Sequence, residues 1–159
     1  MRFFFTFIMV LCCANVFAQH NIGKVEFSTS SSNVILSSSS KVMSKSVKIM
    51  IYPKVRDTSF AMVELKSYIK NIKVKVPIEK FNEICSAVLA IDLKDLLKYE
   101  YNCLDGEYSS IKFANSGSIA VEYNVSCFDS LGTDSALSKY MHAMELMLAT
   151  VGLKPKDIR

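Results

Sequence analysis

Glycine and histidine are both scarce in this sequence. Its 159 residues include five glycines and two histidines. So few glycines cannot build a glycine-rich phosphate cradle, and the motifs GxxxxGK[ST] and GxGxxG are absent. GxSxG and HExxH are absent too, and two histidines, His20 and His142, argue against a zinc centre. The familiar signatures of nucleotide-binding enzymes, serine hydrolases and zinc proteases are therefore missing.

The remaining candidates for chemistry are acidic residues and one histidine. His142 and Glu145 are three residues apart in a predicted helix, and such a pair can supply two metal ligands. The same pair is also typical of the solvent side of an amphipathic helix. Glu100, Asp105 and Glu107 lie near one predicted strand end, where a turn selects acidic residues without any chemistry. We expect no catalytic residue, no metal site and no cofactor.

The first eighteen residues are typical of a secretory signal peptide. Arg2 gives a short positive start, and residues 3–13 form a nearly unbroken apolar segment. Val16 and Ala18 then supply the small side chains that a signal peptidase needs. This layout predicts cleavage between Ala18 and Gln19.

Two other interpretations of this segment fit less well. As a helix, residues 3–18 would be about 24 Å long, which is short of a bilayer core of roughly 30 Å. A lipoprotein needs a small residue before the acylated cysteine, whereas Leu11 precedes Cys12 and Cys12 precedes Cys13. We therefore expect an exported chain, whether periplasmic, cell-surface or secreted, with no stable membrane span.

Cleavage would leave three cysteines, an odd number for an oxidising compartment. If residues 99–113 and 118–128 form one hairpin around the sequence ANSGS, Cys103 faces Cys127 and a disulfide is plausible. The alternative is a separate hairpin closed by the turn LDGE, which would hold the two cysteines about 9.6 Å apart, too far to bridge. Cys85 is expected to be a buried thiol on an apolar helix face.

Residues 19–159 are predicted to form a single α+β domain. Alternating polar and apolar residues predict strands. Residues 19–40, with the serine-rich stretch 28–40, could be low-complexity chain, but KVEFS and NVIL favour a weak hairpin or edge strands. Three amphipathic segments predict helices. The predicted strands are 46–55, 72–78, 99–103, 111–113 and 119–127. The first predicted helix is 60–72, with Ala61 and Leu65 on one face and Asp57, Thr58 or Ser59 as its cap. The second is 79–97, which either continues or restarts at Asp92 and has a stripe of Phe81, Cys85, Val88 and Leu89, and the third is 135–151 with Gly152 as C-cap. We expect an antiparallel sheet with about three helices packed mainly on one face, which leaves the other face open to water.

Positive charge is concentrated in one part of the chain. The formal net charge is +4, but residues 41–80 contain ten lysines and arginines against three acidic residues. The predicted basic patch consists of Lys66, Lys70, Lys73 and Lys75. Lys66, Lys70 and Lys73 would lie on one side of a helix that continues past residue 72, whereas Lys73 and Lys75 would face water if a strand begins at residue 72. Such a patch suits anionic lipid or polysaccharide, although lysines also simply solubilise outer surfaces. Nucleic-acid binding is not expected, because this region has a single arginine, Arg56, its aromatic residues are not expected to be exposed between the basic ones, and the chain is expected to be exported.

These features favour a small exported binding or accessory domain without catalysis. Its partner would be a protein, a lipid or a glycan held on the open sheet face or in a groove between sheet and helices. Two alternatives stay open. One is an exported hydrolase that uses scattered carboxylates or His142, which a convergence of His142 and Glu145 with another carboxylate would favour. The other is a structural or adhesive envelope component, which a large flat apolar patch would favour.

Overall fold

The fold is a six-stranded antiparallel sheet with helices, which confirms the predicted α+β class. The computed structural model describes residues 22–31, 45–54, 57–67, 70–99, 108–115, 119–126 and 135–158. The strands are β1 Ile22–Ser31, β2 Lys45–Lys54, β3 Asp57–Ser67, β4 Asn71–Pro77, β5 Tyr108–Asn115 and β6 Ala120–Ser126. The helices are α1 Ile78–Leu89, α2 Leu93–Leu96 and α3 Ser138–Ala149, with short 3₁₀ turns at Ser135–Leu137 and Pro155–Asp157. The predicted leader, residues 1–18, lies outside the described residues.

The strands lie in the order β4-β3-β2-β1-β5-β6, so β1 is in the interior of the sheet. The prediction that this serine-rich region forms edge strands was therefore wrong, since β1 lies between β2 and β5. Val25 and Phe27 are fully buried on one side of β1 and alternate with polar residues on the other. Serine is tolerated in an interior strand here because Ser28 and Ser110 join their hydroxyl groups across β1 and β5 at 2.8 Å. The rest of the serine-rich stretch, residues 32–40, is outside the described part.

The predicted helix over residues 60–72 was wrong, since this segment forms β3, the hairpin turn and the start of β4. Ala61 and Leu65, which suggested a helical face, also lie on one side of a strand because four is an even separation. Val63 between them is equally buried, and it pairs with Val74 of β4. Asp57, one of the three residues expected to cap that helix, instead accepts hydrogen bonds from the backbone N–H and hydroxyl of Ser59 at the beginning of β3.

Helix α1 follows β4 directly, as predicted. Its buried stripe includes Phe81, Cys85 and Val88, whereas Leu89, which was expected to share it, is 39% exposed. Of the two alternatives for this segment, continuation or a restart at Asp92, the structure shows the restart: the carboxylate of Asp92 accepts a hydrogen bond from the backbone N–H of Lys94 at 2.8 Å and caps α2.

Helix α3 ends at Ala149, and the glycine that the sequence predicts as its cap completes the turn that follows. Gly152 has φ = 71°, the left-handed conformation that costs an L side chain energy. The N–H of Leu153 donates to Leu148 O at 3.0 Å and that of Gly152 donates to Ala149 O at 3.2 Å, which is the Schellman arrangement. The helix begins at Ser138, later than predicted, because Ser135–Leu137 forms a 3₁₀ turn.

One hydrophobic core lies between the helices and one face of the sheet. Helix α1 packs on β2, β3, β4 and α3. Within this core, the hydroxyl groups of Ser109 and Tyr140 form a hydrogen bond of 2.9 Å, and both residues are almost fully buried. This bond ties α3 to β5. Burial raises the pKa of Tyr140, so its hydroxyl stays protonated.

The β5–β6 hairpin has a different register from the one that motivated the predicted disulfide. Tyr108 pairs with Ser126 and Ile111 with Tyr123, four residues away from the pairing that would place Cys103 opposite Cys127. The geometric argument for the bridge therefore fails. Both cysteines, and the turn LDGE, lie outside the described residues, so the bridge itself stays a prediction.

Candidate interaction surface

The face of the sheet opposite the helices carries mostly polar side chains, and we call it the open face. Strand alternation and register define its members. They are Lys24, Glu26 and Ser28 of β1; Lys48, Met50, Tyr52 and Lys54 of β2; Phe60, Met62, Glu64 and Lys66 of β3; Lys73 and Lys75 of β4; Tyr108, Ser110, Lys112 and Ala114 of β5; and Ala120, Glu122 and Asn124 of β6. The sequence predicts such a water-facing side, and the structure provides it.

A three-residue cluster is centred on Glu64. Its Oε1 accepts a hydrogen bond from the hydroxyl of Tyr52 at 2.6 Å and is also paired with Nζ of Lys73. The hydrogen bond from Lys73, followed by that from Tyr52, lowers the pKa of Glu64. In both partners the hydrogen bond to Glu64 is the largest cause of a raised pKa, for Tyr52 and for Lys73. Glu64 is therefore held as a fixed anion at neutral pH.

A second carboxylate, Glu26, lies between two lysines. Its Oε1 is 2.7 Å from Nζ of Lys48, and its Oε2 is 3.4 Å from Nζ of Lys24. Burial opposes ionisation of Glu26, but the two lysines outweigh burial and lower its pKa. Glu26, like Glu64, thus holds a permanent charge rather than exchanging a proton near neutral pH.

Charge is unevenly divided over the open face. On β1, β5 and β6, which we call the balanced half, Lys24 and Lys112 are matched by Glu26 and Glu122, and Lys112 lies 3.8 Å from Glu122. The outward side of β2, β3 and β4 is the cationic half. Its lysines are Lys48, Lys54, Lys66, Lys73 and Lys75, with Lys70 beside them at the β3–β4 turn. Its outward carboxylate is Glu64, and a second carboxylate, Asp57, begins β3, where hydrogen bonds from Ser59 and the charges of Lys54 and Lys75 lower its pKa. Lys48 reaches across to Glu26, which still leaves an excess of lysines on this half.

The four predicted patch lysines all belong to the cationic half. All four are exposed and lie on the β3–β4 hairpin. The helix expected to present Lys66 and Lys70 is absent, whereas Lys73 and Lys75 face water from a strand, as the alternation in NIKVKVP predicts. Lys70 is at the turn, where its backbone N–H donates to Oγ of Ser67 at 3.1 Å. The four lysines are therefore exposed neighbours on one hairpin, and their role as a binding patch stays a prediction.

Apolar and aromatic side chains lie among these lysines. Phe60 is partly exposed, and its ring centroid is 4.3 Å from Nζ of Lys75 and 5.6 Å from Nζ of Lys54, within the range of cation–π contact. Met50 and Met62 are half-buried nearby on β2 and β3. Sequence reasoning missed Phe60 and Glu64 as outward residues of a strand because it placed residues 60–72 in a helix. It missed Tyr52 because the predicted strand 46–55 is nearly continuous in apolar residues and shows no outward side. A period of two in FAMVELK would have placed Phe60 and Glu64 outward.

The other predicted site residues are not brought together. His142 and Glu145 are both exposed on α3, on the helical side of the molecule. Within the described ranges, no three His, Cys, Asp or Glu residues converge as a metal site would require. Cys85 is fully buried, and this burial raises its pKa to about 12, as expected of an inert thiol. The carboxylates Glu100, Asp105 and Glu107 lie outside the described part of the chain.

Comparison with known proteins assigns neither family nor function, since no family model, curated protein or solved structure matches this chain. In the part of the chain that the structure describes, no helix is both long and apolar enough to cross a membrane. Function is therefore inferred from the side chains of the open face.

Proposed function

We propose that this chain is a small exported binding or accessory domain that holds a partner on its open face and performs no catalysis. The observation that carries the proposal is the one-sided fold: the helices cover one face of the sheet, and the other presents lysines with aromatic and methionine side chains. Export is supported by the leader-like residues 1–18. A disulfide between Cys103 and Cys127 remains part of this proposal.

The state of the carboxylates supports binding rather than acid–base chemistry. A general acid or base works best when its pKa lies near the operating pH. The pKa of Glu64 is lowered by its hydrogen bonds to Lys73 and Tyr52, and the lysines beside Glu26 lower its pKa despite burial. These groups suit fixed electrostatic contacts with a partner.

Intact mass of the protein recovered after expression in an export-competent host tests the export part of the proposal. We expect the mature chain to begin at Gln19, with a mass two hydrogens lower before reduction if Cys103 and Cys127 are bridged. Recovery with Met1 attached and all cysteines reduced would refute both expectations.

Binding to a panel of ligand classes tests the role of the open face. The panel contains anionic and zwitterionic vesicles, acidic and neutral polysaccharides, and acidic peptides, presented to the immobilised protein. We expect one class to bind, with binding lost in Lys66→Glu/Lys75→Glu and retained in Lys94→Glu/Lys139→Glu, which changes the charge equally on the helical side. Equal loss in both variants, or a ligand that binds only through the helical side, would refute the proposal.

A further inference from the structure

We infer that the cationic half of the open face docks on the anionic headgroups of a lipid bilayer. This inference rests on the proposed function and specifies the partner. It starts from the division of charge on the face: β1, β5 and β6 carry matched lysines and glutamates, whereas β2, β3 and β4 carry more lysines than acids. Charge complementarity therefore directs an anionic partner to one half of the sheet.

The chemistry of these cations suits a fluid surface. All cations in the described ranges are lysines. A lysine ammonium is a point charge on a flexible stem, whereas arginine forms the rigid two-pronged contact that recognises an individual phosphate or carboxylate. Lipid headgroups diffuse and reorient, so they are attracted by point charges without a fixed geometry.

The layout of the lysines favours a surface over a single chain. Lys54, Lys66 and Lys75 lie on three neighbouring strands rather than along one line. Neighbouring strands are about 4.8 Å apart, and residues on one side of a strand are about 7 Å apart, so the ammonium groups spread in two dimensions. A polysaccharide chain would follow one line of cations, whereas a bilayer presents charge across the whole patch.

The apolar side chains among the lysines fit the same partner. Phe60 lies beneath the ammonium of Lys75, and Met62 is half-buried on the same outward side of β3. Lysine stems can lie along such apolar groups while their charges reach water or phosphate. Aromatic and apolar groups beside lysines are the combination that peripheral proteins place at the headgroup boundary.

Co-sedimentation with vesicles tests this inference on the full exported protein. The probes are mixed phosphatidylglycerol–phosphatidylcholine vesicles, pure phosphatidylcholine vesicles, and a soluble acidic polysaccharide as competitor. The variant Lys66→Gln/Lys75→Gln removes two charges from the cationic half. The matched control Lys112→Gln/Lys139→Gln removes two charges from salt-bridged lysines elsewhere. Circular dichroism verifies that both variants are folded.

We expect binding to the anionic vesicles only, with affinity that falls as salt is raised. Each lysine near an anionic bilayer contributes about a fivefold factor, so the test variant should bind about 25-fold more weakly and the control nearly as well as wild type. Absence of binding at low salt, equal binding to neutral vesicles, or equal loss in both variants would overturn the inference. So would tighter binding to the acidic polysaccharide than to vesicles. In that last case the role of the open face would stand, and only the lipid assignment would fail.

Discussion

The buried hydrogen bond between Tyr140 and Ser109 gives the sharpest test of the packing of α3 on the sheet. The two hydroxyl groups are 2.9 Å apart, and the residues are 1% and 0% exposed. Tyr140→Phe removes one hydroxyl and leaves the Ser109 hydroxyl buried without this partner, which costs about 1–3 kcal/mol. Ser109→Ala leaves the Tyr140 hydroxyl in the same situation, at a similar cost. The double variant leaves neither group unpaired and should lose less than the sum of the two single losses, with a coupling energy of about 1–2 kcal/mol.

Urea denaturation of the four proteins, followed by circular dichroism, measures these differences. A third hydroxyl, that of Thr29, provides a control, because it is buried beside Ser109 in the β1–β5 register and makes no hydrogen bond within the described residues. Thr29→Val removes a hydroxyl that has no such partner and should leave stability unchanged or slightly raised. Strict additivity of the Tyr140 and Ser109 variants would show that the hydroxyls do not interact, and the described packing of α3 on β5 would be wrong.

Three further predictions concern the helix cap, the open face and the buried thiol. Gly152→Ala should destabilise the protein by about 1–2 kcal/mol, because φ is 71° there and the added methyl group meets no atom within 4 Å, so that backbone strain is the whole cost. Gly152→Asn should destabilise the protein less in the same urea denaturation assay. Equal destabilisation by the two variants would contradict the left-handed cap. The pKa of Glu64 is lowered by Lys73 and Tyr52, so the stability that Glu64 contributes should be present at neutral pH and lost as pH falls through its lowered pKa. Between neutral and acidic pH, the melting temperature should therefore fall less in Glu64→Gln than in wild type. An identical fall in the two proteins would refute this pairing. Cys85 should resist alkylation in the native protein and react after denaturation, because it is buried and burial raises its pKa to about 12. The extent of alkylation at Cys85 is measured by mass spectrometry. Rapid alkylation of the native protein at this residue would show that the thiol is not buried.

Local patterns predicted the elements whose residues carry an unambiguous period or a clear terminus. The alternation in NIKVKVP identified β4 together with its exposed lysines. Gly152 identified the end of α3 because the left-handed position there suits glycine. Asp92 similarly marked the start of α2. In each of these cases the deciding interaction lies within a few residues of the signal.

The failures come from interactions between residues distant in sequence. Ala61 and Leu65 satisfy both a helical and a strand period, and β3 is a strand because Val63 pairs with Val74 and lies opposite Ile51. β1 looks like a weak exposed strand by composition, yet pairing on both sides with β2 and β5 places it inside the sheet. Local propensity cannot report such pairing, because tertiary context decides it.

The candidate surface was predictable in composition and not in arrangement. The excess of lysine in residues 41–80 is evident in the sequence. The strand order and register decide which charges pair: Glu64 forms a salt bridge with Lys73, and Glu26 forms one with Lys48. The separation into a cationic and a balanced half is therefore a property of the folded sheet.

Lysine footprinting tests the central claim, that the open face holds the partner, most directly. The full exported protein is treated with an amine-acylating reagent in the presence and absence of anionic vesicles, and modification is mapped by mass spectrometry. We expect protection of Lys54, Lys66 and Lys75 and unchanged modification of Lys112 and Lys139. Protection confined to Lys139 and its neighbours on the helical side, with Lys66 and Lys75 still fully reactive, would contradict the account.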